Sequence, residues 1–172
     1  ILGGDGDDSL KGGNNRDTLR GGEGDDTIDG QSGPDFAVGG DGEDVISGGL
    51  GDDYLKGKDG DDTLDGGAGE DKARGGAGDT LVGGADDDVV RVGRDGDMDV
   101  VVLDADDGED RVFEFDSELD VVRLLGDWAN DPTLDFALEV KPDNGDAILT
   151  YGLTRAIIFN YDTDTAILLD RD

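Results

Sequence analysis

The chain of 172 residues contains no histidine and no cysteine. Their absence excludes Ser-His and Cys-His catalysis, zinc fingers, metalloproteases of the H-E-x-x-H type and any disulfide framework. No apolar run reaches the roughly 18 residues that a membrane-spanning helix needs, so we expect no membrane span. Basic residues are also few, since 14 Lys and Arg stand against 46 Asp and Glu. The resulting net charge of -32 excludes general nucleic-acid binding, which needs a basic surface.

Glycine and acidic residues are abundant instead. There are 32 glycines, of which 26 lie within residues 1–91, whereas average usage is about 7%. A chain with this charge and few apolar residues normally stays unfolded, because it buries too little surface to offset conformational entropy and self-repulsion. Bound cations would reverse that outcome. The only methionine is Met98, and the first residues do not form a signal peptide, so we expect a fragment of a larger protein.

Residues 1–91 are organised in a nine-residue repeat. Its pattern is G-G-x-G-x-D-x-U-x, where U is an apolar residue. The repeats begin at Gly3, Gly12, Gly21, Gly30, Gly39, Gly48, Gly57, Gly66, Gly75 and Gly83, the ninth having lost one residue. Their sixth positions are Asp8, Asp17, Asp26, Asp35, Asp44, Asp53, Asp62, Asp71, Asp79 and Asp88. Ten copies in one register argue against a flexible linker, which needs no fixed period.

This repeat resembles the calcium-binding nonapeptide of the RTX (repeats-in-toxin) family. It is similar in particular to the C-terminal β-roll modules of type I-secreted bacterial proteins such as alginate epimerases and serralysin-type proteases. The resemblance implies that the ten sixth-position aspartates bind calcium, each bridging two ions, and that carbonyl oxygens of the turns complete each site. Hard carboxylate and carbonyl oxygens suit Ca²⁺ better than a soft metal.

The physics of the repeat supports a coiled fold. Six residues of glycine and aspartate favour a turn, and the last three favour a short strand whose eighth position points inward. Two repeats complete a coil of eighteen residues, so odd and even repeats stack in separate columns. Five turns in each column leave four gaps, which predicts up to about eight calcium ions. Residues 1–91 hold 24 acidic and 8 basic residues, a net charge of -16 that eight divalent ions would balance.

Several repeats depart from the pattern. Asn15 replaces the fourth-position glycine of the second repeat, and Asn tolerates the left-handed region. Gln31, Lys58 and Asp86 also stand where glycine is expected, in the fourth, seventh and tenth repeats. We expect the poorest calcium sites near Asp35 and Asp79, the latter because of the deleted residue.

The predicted fold class is all-β: a right-handed parallel β-roll, or β-helix of nonapeptide repeats, followed by a C-terminal β-rich cap. We place the calcium-binding roll at residues 1–91 and the cap at residues 92–172. Strands are expected at residues 99–103, 111–115, 121–125, 136–140, 147–151, 155–159 and 165–169. Residues 108–115 and 119–124 resemble the segment that follows the repeats in secreted RTX proteins and covers the end of the roll. Trp128 is expected in the core or in the cap.

One competing calcium motif lies after the repeats. Asp95, Asp97 and Asp99 match the first, third and fifth positions of an EF-hand loop. Val100 then replaces the required glycine and Asp106 the final glutamate, so an EF-hand is not expected.

The outward positions of the even repeats differ from those of the odd repeats. Odd repeats present mainly Ser, Thr, Val and Asp, whereas even repeats present bases and aromatic residues. Candidate ligand-binding residues on this basic face are Arg20, Phe36, Tyr54, Lys56, Lys72, Arg74 and Arg91. Such a stripe on an acidic chain would suit an anionic polysaccharide such as alginate. Two alternatives stay open: the bases pair with neighbouring acids, or the face packs against another domain.

Three functions remain open from the sequence. The first is a calcium-binding module that folds on extracellular calcium after type I secretion from a Gram-negative bacterium, and that stabilises and presents its parent protein. The second is a module that binds an anionic polysaccharide. The third is the non-catalytic tail of a secreted hydrolase or epimerase. We predict no enzymatic activity for the segment itself, and calcium and the type I secretion machinery are its expected partners.

Overall fold

Each nonapeptide forms a glycine-rich turn followed by a strand, and successive strands alternate between two sheets. The computed structural model describes residues 1–93, 96–104, 109–114, 120–125, 136–140, 147–151, 154–158 and 169–170. Within these residues every regular element is a strand. None of them forms a helix long and apolar enough to cross a membrane.

The strands of the repeats are β1 (Leu2–Asp5), β2 (Ser9–Asn14), β3 (Thr18–Glu23), β4 (Thr27–Ser32), β5 (Phe36–Asp41), β6 (Val45–Leu50), β7 (Tyr54–Asp59), β8 (Thr63–Ala68), β9 (Lys72–Arg74), β10 (Thr80–Ala85) and β11 (Val89–Arg91). They are followed by β12 (Val100–Asp104), β13 (Glu109–Phe113), β14 (Val121–Leu125), β15 (Phe136–Val140), β16 (Ala147–Tyr151), β17 (Thr154–Ile158) and β18 (Leu169–Asp170).

Two sheets form the walls of the roll. The first sheet has the order β1-β3-β5-β7-β9-β11-β13-β17-β16-β15 and contains the strands of the even repeats. The second sheet has the order β18-β14-β12-β10-β8-β6-β4-β2 and contains the strands of the odd repeats. Ser9 pairs with Thr27 and Thr18 with Phe36, each in parallel and eighteen residues apart. The predicted parallel β-roll with a coil of eighteen residues is therefore confirmed.

The parallel stack crosses residue 91, where the glycine period ends. Strand β12 pairs with β10, β13 with β11 and β14 with β12, all in parallel. The register joins Thr80 to Val100 and Val89 to Arg111, so these coils contain more residues than those of the repeats. Strands β15, β16 and β17 then form an antiparallel meander that joins the first sheet through β13. The division of the chain into two domains at residue 91 stays a prediction.

One continuous cluster of apolar side chains fills the inside of the roll. Every eighth-position residue of the ten repeats is at most 4% exposed, from Leu10 to Val90. The same cluster continues through Val101, Val112 and Val122 of the following coils. Val92 and Leu103 also belong to it, at positions where a further repeat would begin with glycine. The core is thus one or two side chains wide, which leaves little apolar area to stabilise so acidic a chain.

The turns use positive φ at their second and fourth positions. Gly49 and Gly51, for example, have φ values of 105° and 120°, which glycine adopts without steric cost. Four residues with side chains occupy such positions, and all four keep the positive φ: Asn15 at 73°, Gln31 at 75°, Lys58 at 104° and Asp86 at 83°. These four substitutions for glycine therefore keep the turn geometry, but they hold residues with side chains in a strained backbone conformation.

Candidate metal sites and the basic face

The sixth-position aspartates form two columns, one along each edge of the roll. In both columns the carboxylate accepts a hydrogen bond from the backbone N–H of the aspartate one coil earlier. Along the first column Asp8 N–H donates to Asp26 Oδ1 at 2.8 Å, Asp26 N–H to Asp44 Oδ1 at 2.8 Å, and Asp44 N–H to Asp62 Oδ1 at 2.9 Å. The second column follows the same rule through Asp17, Asp35, Asp53, Asp71 and Asp88, with distances of 2.7, 2.6, 2.7 and 2.8 Å.

Burial separates the ends of the columns from their interior. Asp8 and Asp17, in the first coil, are half-buried. The other eight sixth-position aspartates are between 0 and 4% exposed. Burying a carboxylate is costly unless its oxygens are hydrogen-bonded or bind a cation.

The second carboxylate oxygen, Oδ2, lacks a hydrogen-bond donor in the interior of the columns. In six interior residues Oδ2 is buried and makes no hydrogen bond: Asp26, Asp35, Asp44, Asp53, Asp62 and Asp71. Buried oxygens without a partner are rare in folded proteins and call for an explanation, such as an ion. The arrangement fits a hard divalent cation, because each such oxygen is an anionic ligand that no protein group satisfies.

The first glycine of each repeat makes room for this oxygen. A Cβ atom at Gly21 or Gly39 would overlap the carboxylate of Asp26 or Asp44, five residues further along the same repeat. Neither glycine has a positive φ, so space and not backbone conformation excludes a side chain there. The G-x-x-x-x-D spacing of the repeat is therefore a packing requirement of the carboxylate.

Asp79, in the shortened ninth repeat, differs from the other column members. Its Oδ1 continues the column by accepting from Asp62 N–H at 2.8 Å. Its Oδ2 accepts a hydrogen bond from Gly76 N–H within the same turn. In Asp79 a backbone N–H of the same turn thus satisfies Oδ2, the oxygen that has no donor in the interior repeats of regular length. The expectation that the poorest calcium sites lie near Asp35 and Asp79 stays a prediction.

Burial also perturbs the protonation of the columns. It raises the pKa of Asp53 to about 6 and the pKa values of Asp62 and Asp71 to about 7. Burial raises the pKa of Asp35 and Asp44 as well. In each residue the backbone hydrogen bond from the preceding coil opposes the rise, while charge repulsion from neighbouring carboxylates adds to it.

Acidic side chains alone do not assemble a metal site. Among the residues that the structure describes, no group of three or more aspartates or glutamates converges on one point. Any ion held by the columns therefore needs backbone carbonyl oxygens in addition to the carboxylates, as Ca²⁺ sites in turns commonly use. The ten aspartates predicted as ligands lie in the two columns, and their role as ligands stays a prediction.

Both columns extend beyond the residues predicted as ligands. Asp79 N–H donates to Asp99 Oδ1 at 2.7 Å, and Asp99 N–H to Asp120 Oδ1 at 3.1 Å. In the other column Asp88 N–H donates to Asp110 Oδ1 at 3.1 Å. All three added aspartates are at most 4% exposed. Each is followed two residues later by valine, so a search for D-x-V without a fixed period would have found them. Of the EF-hand candidates, Asp99 thus lies in a column, and Asp95 and Asp106 lie outside the described residues, as does Trp128.

The seven candidate ligand-binding residues share the outer face of the first sheet. Phe36, Tyr54 and Lys72 follow one another in register in one column. Arg20, Lys56, Arg74 and Arg91 belong to the other, two residues along each strand.

Aromatic contacts order this face. The rings of Phe36 and Tyr54 stack with centroids 5.2 Å apart and planes 10° apart. The Arg20 guanidinium lies 6.0 Å from the Phe36 ring centroid. At the other end Arg91 lies 4.7 Å from the Phe113 ring centroid and 3.6 Å from the carboxylate of Glu114. Phe113 and Arg111 continue the basic face on strand β13, beyond the residues predicted.

A cleft of about 300 Å³ opens on this face. It is lined by Tyr54, Lys72, Ala73, Arg74, Val89, Arg91, Arg111 and Phe113. No carboxylate of the described residues lies within ion-pair distance of Lys72, Arg74 or Arg111. Among the described residues, the alternative in which these bases pair with neighbouring acids is therefore seen for Arg91 alone, and for the other three it stays open.

Comparison with known families identifies the repeats. The model of the RTX calcium-binding nonapeptide repeat matches the chain in four copies, at residues 2–37, 30–63, 38–73 and 71–98. Together these matches cover more than half of the chain. No curated protein matches it.

Two solved structures match the chain to different degrees. The crystal structure of the extracellular lipase LipA from Serratia marcescens is 17% identical, with a TM-score of 0.50, and the match covers 92% of this chain. The chain spans 38% of the lipase. The solution structure of the AlgE6R3 subunit from the Azotobacter vinelandii mannuronan C5-epimerase is 20% identical, with a TM-score of 0.30, covering 95% of this chain and 78% of the subunit.

Proposed function

Because this chain belongs to the RTX calcium-binding nonapeptide repeat family, we propose that it is a calcium-folded module of a larger secreted protein. The chain itself carries out no catalysis and instead stabilises and presents the rest of its parent. Its two columns of aspartates hold the ions, with carbonyl oxygens of the turns as further ligands. Bound calcium supplies positive charge that offsets the repulsion between stacked carboxylates.

One observation carries this proposal: the buried Oδ2 atoms of Asp26, Asp44 and Asp62 in one column, and of Asp35, Asp53 and Asp71 in the other, have no hydrogen-bond donor. Six such oxygens in a core this narrow would destabilise the fold by more than its apolar contacts could offset. The metal-free chain is therefore expected to unfold at neutral pH. Binding and folding are one process in such a chain, since the ligands come together only in the coil.

Calcium-dependent folding suits a protein exported through a type I pathway by a Gram-negative bacterium. Low calcium inside the cell keeps the chain extended for export. Calcium at roughly millimolar concentration outside, which matches the affinity of extracellular modules, then drives folding. The similarity in fold to an extracellular lipase supports this location. The parent is a hydrolase or a glycan-modifying enzyme of which this chain is the calcium-binding portion.

A calcium titration followed by far-UV circular dichroism and light scattering tests the proposal, with magnesium as the control cation. We expect a cooperative gain of β signal and a decrease in size that calcium alone produces and a chelator reverses. A β signal that the chelator leaves unchanged would contradict the role of calcium in folding.

A matched pair of variants assigns the effect to the columns. Asp44→Asn keeps an oxygen that can accept from Asp26 N–H but removes a charge from the column. Asp41→Asn removes the same charge from an exposed position of the same turn. We expect the calcium midpoint to rise about tenfold for Asp44→Asn, or ~1.4 kcal/mol, and to change little for Asp41→Asn.

A second function is favoured by Lys72, Arg74 and Arg111 of the basic face, which make no ion pair with a carboxylate of the described residues. We propose that this face binds an anionic polysaccharide such as alginate through Arg20, Phe36, Tyr54, Lys56, Lys72, Arg74 and Arg91. Neutralising Arg20, Lys56, Arg74 and Arg91 together is expected to abolish retention on an alginate column while calcium binding persists. Unchanged retention would exclude this function.

A further inference from the structure

The cleft between Tyr54 and Phe113 is assembled from four separate coils. Its lining residues come from strands β7, β9, β11 and β13, which lie in consecutive order in the first sheet. Along the chain, Tyr54, Lys72, Val89 and Arg111 are each 17 to 22 residues apart, yet they are neighbours in the register. At the usual spacing of roughly 4.8 Å between strands, the cleft is about 14 Å long.

The charge of the cleft is opposite to that of the rest of the chain. Lys72, Arg74, Arg91 and Arg111 line it together with Val89. Only Arg91 among these four is paired with a described carboxylate, that of Glu114. In a chain with a net charge of -32, four clustered bases, three of them unpaired with any described carboxylate, indicate a surface that receives an anion from outside.

The aromatic residues at the two ends specify the kind of anion. Tyr54 and Phe113 stand at opposite ends of an open, shallow cleft, so a chain-like ligand can enter and leave along its length. Pyranose rings present an apolar face that packs on aromatic rings, while their carboxylates reach the surrounding cations.

We propose that this cleft is the principal subsite for a carboxylated polysaccharide, and that it exists only in the calcium-folded roll. The inference rests on the proposed functions and deepens them. Arg111 and Phe113, which lie beyond the glycine repeats, complete the site. In the extended chain the four bases are dispersed among acids and no anionic site forms. Calcium and polysaccharide therefore bind with positive coupling, and by linkage each increases the affinity for the other.

The test uses the full chain and a short fluorescein-labelled oligoglucuronate, with binding measured by fluorescence anisotropy at buffered free calcium. We expect binding in saturating calcium and none in chelator. Arg74→Gln and Arg111→Gln should each weaken binding about tenfold. Lys11→Gln is the matched control, because Lys11 lies on the second sheet and pairs with Asp29, and it should leave binding unchanged.

Circular dichroism of the same samples separates failure of this inference from failure of calcium-dependent folding. If the Arg74 and Arg111 variants fold at the wild-type calcium midpoint but bind the oligoglucuronate as tightly as wild type, the cleft is not the site. If wild type binds the oligoglucuronate equally with and without calcium, the coupling is wrong. If the chain is fully folded in chelator, calcium-dependent folding fails as well.

Two further probes test the class of ligand. A sulfated dextran and single-stranded DNA carry comparable charge without a carboxylated pyranose. Weaker binding of both supports a carboxylated polysaccharide, whereas equal or tighter binding of either would overturn it. The linkage gives an independent readout: at the same concentration, the oligoglucuronate should lower the calcium midpoint of wild type by more than that of Arg74→Gln. An unchanged wild-type midpoint would contradict the proposal.

Discussion

The carboxylate of Asp26 occupies the space in which a side chain at position 21 would stand. Gly21 has no positive φ, so alanine at this position would meet no backbone penalty, and only the contact with Asp26 opposes it. We expect Gly21→Ala to displace this carboxylate from its column and to destabilise the calcium-bound roll by about 1–3 kcal/mol. Denaturant unfolding in saturating calcium measures the change.

Gly13→Ala is the matched control for Gly21→Ala. Gly13 has a φ of 109° but open space around its Cα, so alanine there costs backbone strain without a clash. Because binding and folding are one process, both variants should raise the calcium midpoint, and Gly21→Ala should raise it further because it also displaces a carboxylate of the column. Equal calcium midpoints would show that the contact with the carboxylate has no part in metal binding.

Lys58 provides a test of backbone strain in the turns. It occupies the second position of its repeat with a φ of 104°, where glycine would be relaxed. We expect Lys58→Gly to stabilise the calcium-bound roll by about 1 kcal/mol, measured by denaturant unfolding. Lys56→Gly, two residues earlier in the same strand, has no positive φ to relieve and should instead destabilise the roll by about 0.5–1 kcal/mol. Stabilisation by both variants would point to lysine charge and not to strain.

The nine-residue period predicts the β-roll because every repeat uses the same turn length. Leu10 and Leu19, for example, are both placed inward by the eighth position of the pattern, and both are buried. Past residue 91 the strands were predicted close to where they lie, as in Val121–Leu125, except the strand predicted at residues 165–169, most of which lies outside the described residues. The pairing of these strands in the parallel stack was not predicted, because the turns lengthen and the glycines that mark them disappear.

For the candidate sites, too, the prediction reaches only as far as the nine-residue period. The ten column aspartates follow from one position of the repeat, whereas Asp99, Asp110 and Asp120 fall outside its period. The basic face was predicted from alternation along the even strands, but Arg111 and Phe113 join it only through the pairing of β13 with β11. Pairing of strands in unequal coils depends on packing that a single sequence does not reveal.

Asp99 tests whether the roll extends past the glycine repeats. Its Oδ1 accepts a hydrogen bond from Asp79 N–H at 2.7 Å in a fully buried position. Asp99→Ala leaves that N–H without this acceptor and should destabilise the roll by about 1–3 kcal/mol, whereas Asp99→Asn keeps an acceptor and should cost less. Hydrogen exchange of the Asp79 amide, measured in calcium, should accelerate in the alanine variant only. Equal exchange in both variants would place Asp99 outside the column in solution.

The metal-free chain should gain structure as the pH falls. Burial raises the pKa of Asp53 to about 6 and those of Asp62 and Asp71 to about 7, above the ordinary value of about 3.9 that applies in the unfolded chain. Between these values the folded state binds more protons than the unfolded state, so its stability rises as the pH falls from about 7 toward 4. In calcium-free buffer, the far-UV β signal should therefore increase between pH 8 and pH 5, a range that stays above the isoelectric point of about 4.1. The double variant Asp62→Asn/Asp71→Asn lacks the two column carboxylates whose pKa is raised to about 7 and should show a flatter profile. A wild-type β signal that decreases on acidification would mean that the charge on these buried carboxylates does not limit folding of the metal-free chain.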